Sequence, residues 1–218
     1  GYRDATVKQI CDAADANIRR RYAIETAAWM WHAQCRADET AVLDFVNEFE
    51  VADRVEVLLH ITADQRYELF LDGRLLSRGP DRGDLLHWSF ASYRLTIPSG
   101  RHALRARAVW LGGRRPYAQV TRRGGFLLKA EGLDDRLDTG GGGWRVARVR
   151  GIRLEDPTDH LDFHVIGPGY ILDGAFSGEP EPAVEPAVIE APAWRDNPCG
   201  EARPGWRLQP GPLPDQLA

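Results

Sequence analysis

Cysteine is scarce in this chain, and what there is lacks a pattern. Cys11, Cys35 and Cys199 are odd in number and far apart, with neither zinc spacing nor a disulfide framework. Ordinary reduced thiols are therefore the expectation, and with them a cytoplasmic location, which a leader lost ahead of Gly1 would overturn. No apolar run approaches the length of a membrane span and no charged-then-apolar leader is visible, so no membrane partner is expected. A strongly basic surface is also missing. The formal net charge is −4, with acidic residues interleaved among the arginines, which argues against a nucleic-acid partner. Signatures of catalysis are absent as well. Ser, His and Asp occur without a nucleophile elbow, and the run Gly140–Gly143 lacks the Lys-Ser/Thr and helix of a phosphate loop.

What is present is β-pattern. The 218 residues are 43% hydrophobic and include seven tryptophans, ample for one large all-β domain. Residues 27–61 read as three strands. Trp29 and Trp31 share a face of the first. Leu43, Phe45 and Phe49 share a face of the second, with Asn47 between them. Val55, Val57, Leu59 and Ile61 line the third, opposite Arg54, Glu56 and His60. His60 reads as a surface or hydrogen-bonded structural histidine in preference to a catalytic one. Tyr93, Leu95 and Ile97 form a later strand. After the Pro98-Ser99-Gly100 turn comes another, with His102, Leu104, Ala106, Ala108 and Trp110 on one face and Arg105 and Arg107 on the other. Phe126–Ala130, Trp144–Arg150 and Phe163–Ile171 complete the strands.

The chain is organised around Ile61–Phe90. Tyr67, Leu69 and Leu71 alternate with Glu68 and Phe70, Asp72-Gly73 supplies a tight two-residue turn, and Leu75-Leu76 begins the return strand. Gly79-Pro80 then breaks that strand and opens a loop bearing Arg78, Asp81, Arg82, Asp84, His87 and Trp88. A second polar loop, Leu111–Arg123, carries Arg114, Arg115, Pro116, Tyr117, Gln119, Arg122 and Arg123. It is expected to be solvated and mobile, with anion binding, or stacking on a sugar or base, as the alternative.

The ends differ from the middle. Val7, Ile10, Cys11, Ala14, Ile18 and Tyr22 recur at helical spacing, so residues 4–25 are expected to form a helix. Arg19, Arg20 and Arg21 fall near its C-terminal end, where cations complement the dipole. From Gly178 onward proline dominates, with nine of the chain's fourteen. Such a segment is expected to run extended over the surface without forming regular sheet. The expected organisation is a helix at 1–25, a β-sandwich at 26–177 and a proline-rich arm at 178–218.

Several of these motifs, in this order, resemble the N-terminal β-sandwich region of bacterial α-L-rhamnosidase-like glycoside hydrolases. They are Trp29-Met30-Trp31-His32, Ala63-Asp64, Tyr67, Leu69–Gly73, Arg78-Gly79-Pro80, Arg82 and His87-Trp88. Gly124–Leu128, Trp144-Arg145-Val146, Trp206-Arg207-Leu208 and Pro212-Leu213-Pro214 continue the series, so the resemblance covers roughly residues 26–216. It implies an antiparallel, jelly-roll-like sandwich similar to galactose-binding domains. In those enzymes the catalytic acids lie in a separate helical barrel that this chain is too short and too β-rich to contain. Asp196–Trp206 resembles their acidic catalytic stretch, but no barrel follows and prolines interrupt it.

The expected function is a non-catalytic, sugar-binding-like module. A sugar site needs an aromatic face and a few fixed polar groups. Trp88 is the candidate platform, and Arg78, Asp81, Arg82, Asp84 and His87 are candidate partners, joined by Asp64 and Arg66 from just before the hairpin. Trp88 could instead be core, Asp64 could bond its own turn, and Arg82 could pair with Asp84. The implied partners are a saccharide, L-rhamnose-containing among the options, and a catalytic domain or a second copy of the chain. A docking module without its own ligand is the alternative reading. A free-standing glycosidase would require two carboxylates about 5–10 Å apart in a pocket. No cofactor is implied. Calcium serves some sugar-binding sandwiches, but no Asp-rich loop specifies a site here.

Overall fold

The computed structural model describes residues 22–36, 39–116, 118–154, 169–173, 181–190 and 205–211. The expected helix over residues 4–25 lies almost wholly outside them; its described end, Ala23–Thr26, is a single 3₁₀ turn.

Two sheets form the body. In chain order the strands are β1 (Trp29–Trp31), β2 (Ala41–Val51), β3 (Val55–Asp64), β4 (Arg66–Leu71), β5 (Arg74–Gly79), β6 (Trp88–Ile97) and β7 (Gly100–Trp110). They continue with β8 (Gly125–Glu131), β9 (Trp144–Arg148), β10 (Ile152–Leu154), β11 (Tyr170–Leu172), β12 (Ala187–Glu190) and β13 (Leu208–Pro210). One sheet has the order β12-β1-β8-β3-β6-β13 and the other β5-β4-β7-β2-β9; β10 and β11 pair as a separate ribbon. The result is the expected all-β, jelly-roll-like sandwich. Pairing is antiparallel except that β13 runs parallel to β6. No helix among the described residues is long and apolar enough to cross a membrane.

The main core lies between the sheets. Alternating side chains of β2 (Leu43, Phe45, Phe49), β3 (Val57, Leu59, Ile61) and β7 (Leu104, Ala106, Ala108, Trp110) meet Phe126, Leu128, Trp144 and Val146 there. Phe126 is its ring centre, 4.9 Å from Phe45 and edge-on to Trp144 at 5.5 Å. Asn47, on the core face as expected, satisfies its amide by donating to the Arg136 carbonyl at 2.9 Å. The central hairpin forms as the sequence predicts. Asp72 (φ 50°) and Gly73 (φ 79°) take the left-handed angles of a tight turn between β4 and β5.

The six-stranded sheet is buried on its other face too. Ile24, Ala27, Trp29, Trp88, Phe90, Leu127, Trp206 and Leu208 make a second core there, which explains why β8 reads as a continuous apolar run.

Three expectations are corrected by this second core. Trp29 and Trp31 do not serve one core: a register irregularity between Trp29 and Met30 turns Trp29 to the outer cluster while Trp31 stays in the main one. The loop after β5 ends at His87, because Trp88 already pairs with Leu208 and opens β6. The C-terminal segment does enter regular sheet. β12 and β13 are the two edge strands of the larger sheet, and edges tolerate proline because one side of the strand needs no donor. The expected Phe163–Ile171 strand falls mostly outside the described residues, and its described end lies in β11.

Candidate functional site

One end of the larger sheet gathers both loops that the sequence singles out. Asp64 closes β3 and pairs with Gly125 at the start of β8, while Ile61 pairs with Ala91 of β6. The starts of β6, β8 and β13 therefore lie together with the end of β3. The 80–87 loop leads into β6, the 111–124 loop into β8 and Gly205–Arg207 into β13.

Asp64 is the buried centre of this end and has no exposed surface. Its Oδ2 accepts the Arg122 backbone N–H at 2.8 Å, the Arg123 N–H at 3.3 Å and the Trp206 Nε1–H at 3.0 Å. Its Oδ1 accepts the Thr121 hydroxyl, and Trp110 Nε1–H in turn donates to that hydroxyl at 3.0 Å. Neutral donors from two distant segments thus satisfy a buried carboxylate. Burial is the larger influence and pushes its pKa up to about 6, against the pull of those four hydrogen bonds. Asp64 bonds neither its own turn nor solvent. A ligand outside the protein has no route to its oxygens.

The 111–124 loop is solvated only in part: Gly113, Arg115, Ala118 and Val120 are exposed, while its end is anchored. Thr121, Arg122 and Arg123 are tied to Asp64, Gln119 is buried, and the Arg122 guanidinium pairs with Glu190 of β12 at 2.9 Å. Tyr117 lies outside the described residues. Arg66 extends from β4 toward the same loop, donating to Gln119 Oε1 at 3.4 Å.

Trp88 is not an exposed platform. It is 4% exposed, its Nε1–H donates to Thr62 Oγ1 at 3.1 Å, and its ring meets Trp206 edge-on at 6.4 Å. Trp206 in turn stacks on Trp29 with ring centroids 4.0 Å apart and 19° between planes. The three indoles form a wall inside the outer core.

The exposed polar groups lie in the loop itself. Arg82, Asp84 and His87 are exposed and Asp81 is half-buried. Asp84 does not pair with Arg82. Its carboxylate accepts the Leu86 N–H at 2.7 Å and engages His87 Nδ1 at 3.0 Å, and the His87 contact holds its pKa below the usual carboxylate range. Asp81 packs beside Gly211, where an added Cβ would sit 3.0 Å from Asp81 Oδ2. Arg78 stands apart on β5, paired with Glu68 at 2.9 Å. Leu86, at the tip, is 49% exposed.

The arrangement therefore splits the predicted set. Asp81, Arg82, Asp84 and His87 share one exposed loop that can offer carboxylate, guanidinium and imidazole groups to a polar ligand or partner. Asp64 and Trp88 lie beneath it, and Arg66 and Arg78 belong to neighbouring surfaces. Among the described residues, no three or more His, Cys, Asp or Glu side chains converge as a metal ion would require. Sequence reasoning missed Trp206 and Thr121 as members of this end. The alternation Trp206-Arg207-Leu208 amid prolines was the available signal for the first; nothing local marks Thr121. The acidic stretch 196–204 lies outside the described residues.

No family model matches the sequence, and no curated protein matches it. Solved structures do resemble the fold. The GH78 family rhamnosidase of Bacillus sp. GL1 superposes with a TM-score of 0.62 at 23% identity, covering 87% of this chain and 20% of that one. The α-L-rhamnosidase from Dictyoglumus thermophilum gives 0.52 at 14% identity, covering 85% of this chain and 22% of that one. The chain spans about a fifth of each of these proteins. Its β-sandwich is thus similar in fold to one domain-sized part of α-L-rhamnosidases, as the sequence motifs imply.

Proposed function

We propose that this chain is a non-catalytic recognition module of an α-L-rhamnosidase-like glycoside hydrolase, and that its 80–87 loop contacts saccharide. The observation that carries the reading is the division at the loop end. The carboxylate and indole that could have served a reaction or a sugar ring are locked in the core, while Arg82, Asp84 and His87 present polar groups outward on a firm base. The fold likeness to a fifth of a rhamnosidase supports a module that works beside a catalytic domain elsewhere in the parent protein. With Trp88 buried, the loop offers no indole face, and recognition falls to its guanidinium and carboxylate groups, which suit the vicinal hydroxyls of a sugar.

The test is chemical-shift mapping of the isotope-labelled chain with L-rhamnose and a panel of other monosaccharides, with and without calcium. Saturable shifts confined to residues 81–87 are expected. Shifts scattered over the surface, or none at millimolar sugar, would remove the loop as a saccharide site. A second reading, docking to a catalytic domain, is favoured by one feature: Leu86, exposed at the tip of the same loop, is an apolar group better suited to a protein surface than to hydroxyls.

A further inference from the structure

The 80–87 loop rests on a segment far away in sequence. Arg207 N–H donates to the Leu85 carbonyl at 2.7 Å and Trp88 N–H donates to the Arg207 carbonyl at 2.8 Å, so one residue of the C-terminal segment clamps the loop's exit on both sides. Four residues on, Gly211 N–H donates to the Phe90 carbonyl at 2.8 Å, and Gly211 packs against Asp81 at the loop's entrance. The neighbour of Arg207 is Trp206, whose indole N–H is bound to Asp64. The path from Asp64 to Trp206, to Arg207 and to the loop is continuous in covalent and hydrogen bonds.

We propose that Asp64 is a positioning residue for the 80–87 loop, acting through Trp206 and the Arg207 backbone. This deepens the reading of the loop as a recognition site and rests on it for its biological meaning, though not for its test. Asp64 holds two anchors at once. Oδ1 holds the Thr121 hydroxyl and Oδ2 the backbone N–H groups of Arg122 and Arg123, while Oδ2 also holds the Trp206 indole. Releasing Trp206 removes the support beneath Arg207 and leaves Leu85 and Trp88 without their common partner.

A positioning carboxylate leaves a pH signature that a plain packing residue does not. When the segment opens, Asp64 reaches water and its pKa returns toward 3.8, whereas buried it lies at about 6. The buried carboxyl thus holds its proton more tightly than the opened one. Opening costs most below the opened-state pKa, and becomes easier as pH rises through the buried-state pKa. The charged groups around it from neighbouring elements are Arg122 and Arg123, Glu190 paired with Arg122, Arg66 on β4 and Arg207. His87 stands in the loop itself beside Asp84, so the experiment uses a His87→Gln background.

Amide hydrogen exchange, corrected for intrinsic rates, is followed at Trp88 and Arg207 and at the central β3 residues Leu59 and Ile61. In the His87→Gln chain the Trp88 and Arg207 amides should open more readily than the β3 amides. Their opening should become on the order of a hundredfold more frequent between pH 4 and pH 7. Asp64→Asn can present one oxygen to the three N–H donors and its NH₂ to Thr121, so it should keep the loop closed and abolish the pH step. Trp206→Phe, which keeps a ring against Trp29 but loses the N–H donor, should raise exchange at Trp88 and Arg207 by more than at Leu59 and Ile61. Three results would overturn the proposal. One is a pH step that survives Asp64→Asn. Another is anchor exchange unmoved by Trp206→Phe. The third is identical opening free energies at anchor and β3 amides in every variant, which would make Asp64 part of one global unit. No saccharide enters the measurement, so a failed sugar titration and a failed positioning role are separate results.

Discussion

Trp29 and Trp206 stack face to face at 4.0 Å although they open and close the described sandwich, one in β1 and the other just before β13. The contact joins the C-terminal segment to the first strand across the outer face of the larger sheet, where Trp88, Phe90 and Leu127 complete the cluster. The fold therefore depends on residues beyond 177 for part of its core. Trp206→Ala, which empties this contact, is expected to cost roughly 3–5 kcal/mol, the range for removing a buried large aromatic. Urea unfolding of the variant checks it; a loss under about 1 kcal/mol would mean that the segment is dispensable.

Deleting residues 187–218 should do more than lower stability. It would uncover both edges of the larger sheet together with the apolar face under Trp206. Unpaired edges and exposed apolar surface promote association. Light scattering of the truncated chain is expected to show concentration-dependent oligomers, and a monomeric product would contradict the assignment of β12 and β13 as edge caps.

His102 offers a pH-dependent clasp at a turn. Its Nδ1 lies 2.7 Å from Asp72 Oδ2 and its Nε2 lies 2.9 Å from the Pro98 carbonyl, so both ring nitrogens face acceptors. Only the imidazolium donates to both. The hydrogen bond to Asp72 raises the His102 pKa above 6.5, so the clasp's contribution is full below pH 6.5 and is lost as pH rises through the raised value. Water reaches the half-exposed Asp72 and screens the pair, which limits the effect to about 1 kcal/mol or less. Thermal unfolding at a series of pH values above 6.5 should show the loss in wild type, and Asp72→Asn should remove most of it.

Gly124 allows the loop to return over a tryptophan. A Cβ there would fall 2.5 Å from the Trp31 ring, which is buried in the main core. Gly124→Ala is expected to destabilise by about 1–3 kcal/mol through overpacking. Denaturant midpoints measure it, and an unchanged midpoint would mean that the ring has room to move.

How much of this was legible in the sequence follows from the range of the forces involved. The hairpin at Asp72-Gly73 and the alternation of β2, β3 and β7 are local, set by backbone angles and period-2 burial, and they stand as read. The role of Trp88 was not local. Its burial depends on Trp206 arriving from the far end of the chain, and no pattern around residue 88 announces that. Asp64 was identified as notable beside the hairpin, but its partners Thr121, Arg122, Arg123 and Trp206 lie 57 or more residues away, so its structural duty could not be seen from its neighbours. The C-terminal prolines predicted an irregular arm; sheet edges, which excuse a strand from half its hydrogen bonds, are the setting where that inference fails. Of the candidate polar residues, Asp81, Arg82, Asp84 and His87 share one loop because they lie close together in the chain. Arg66 turns instead to Gln119 of the 111–124 loop, and Arg78 pairs with Glu68 on the hairpin.

In the proposed function the exposed loop, and not the buried tryptophan and aspartate, meets the saccharide. Calorimetric titration of the 218-residue chain with L-rhamnose and related sugars tests it most directly, beside an Arg82→Ala/Asp84→Ala double variant. Saturable heat is expected from the wild-type chain, and its loss in a variant that unfolds at the same urea concentration within error. Saturable heat that the double variant retains, or no heat with any sugar at millimolar concentration, would contradict it.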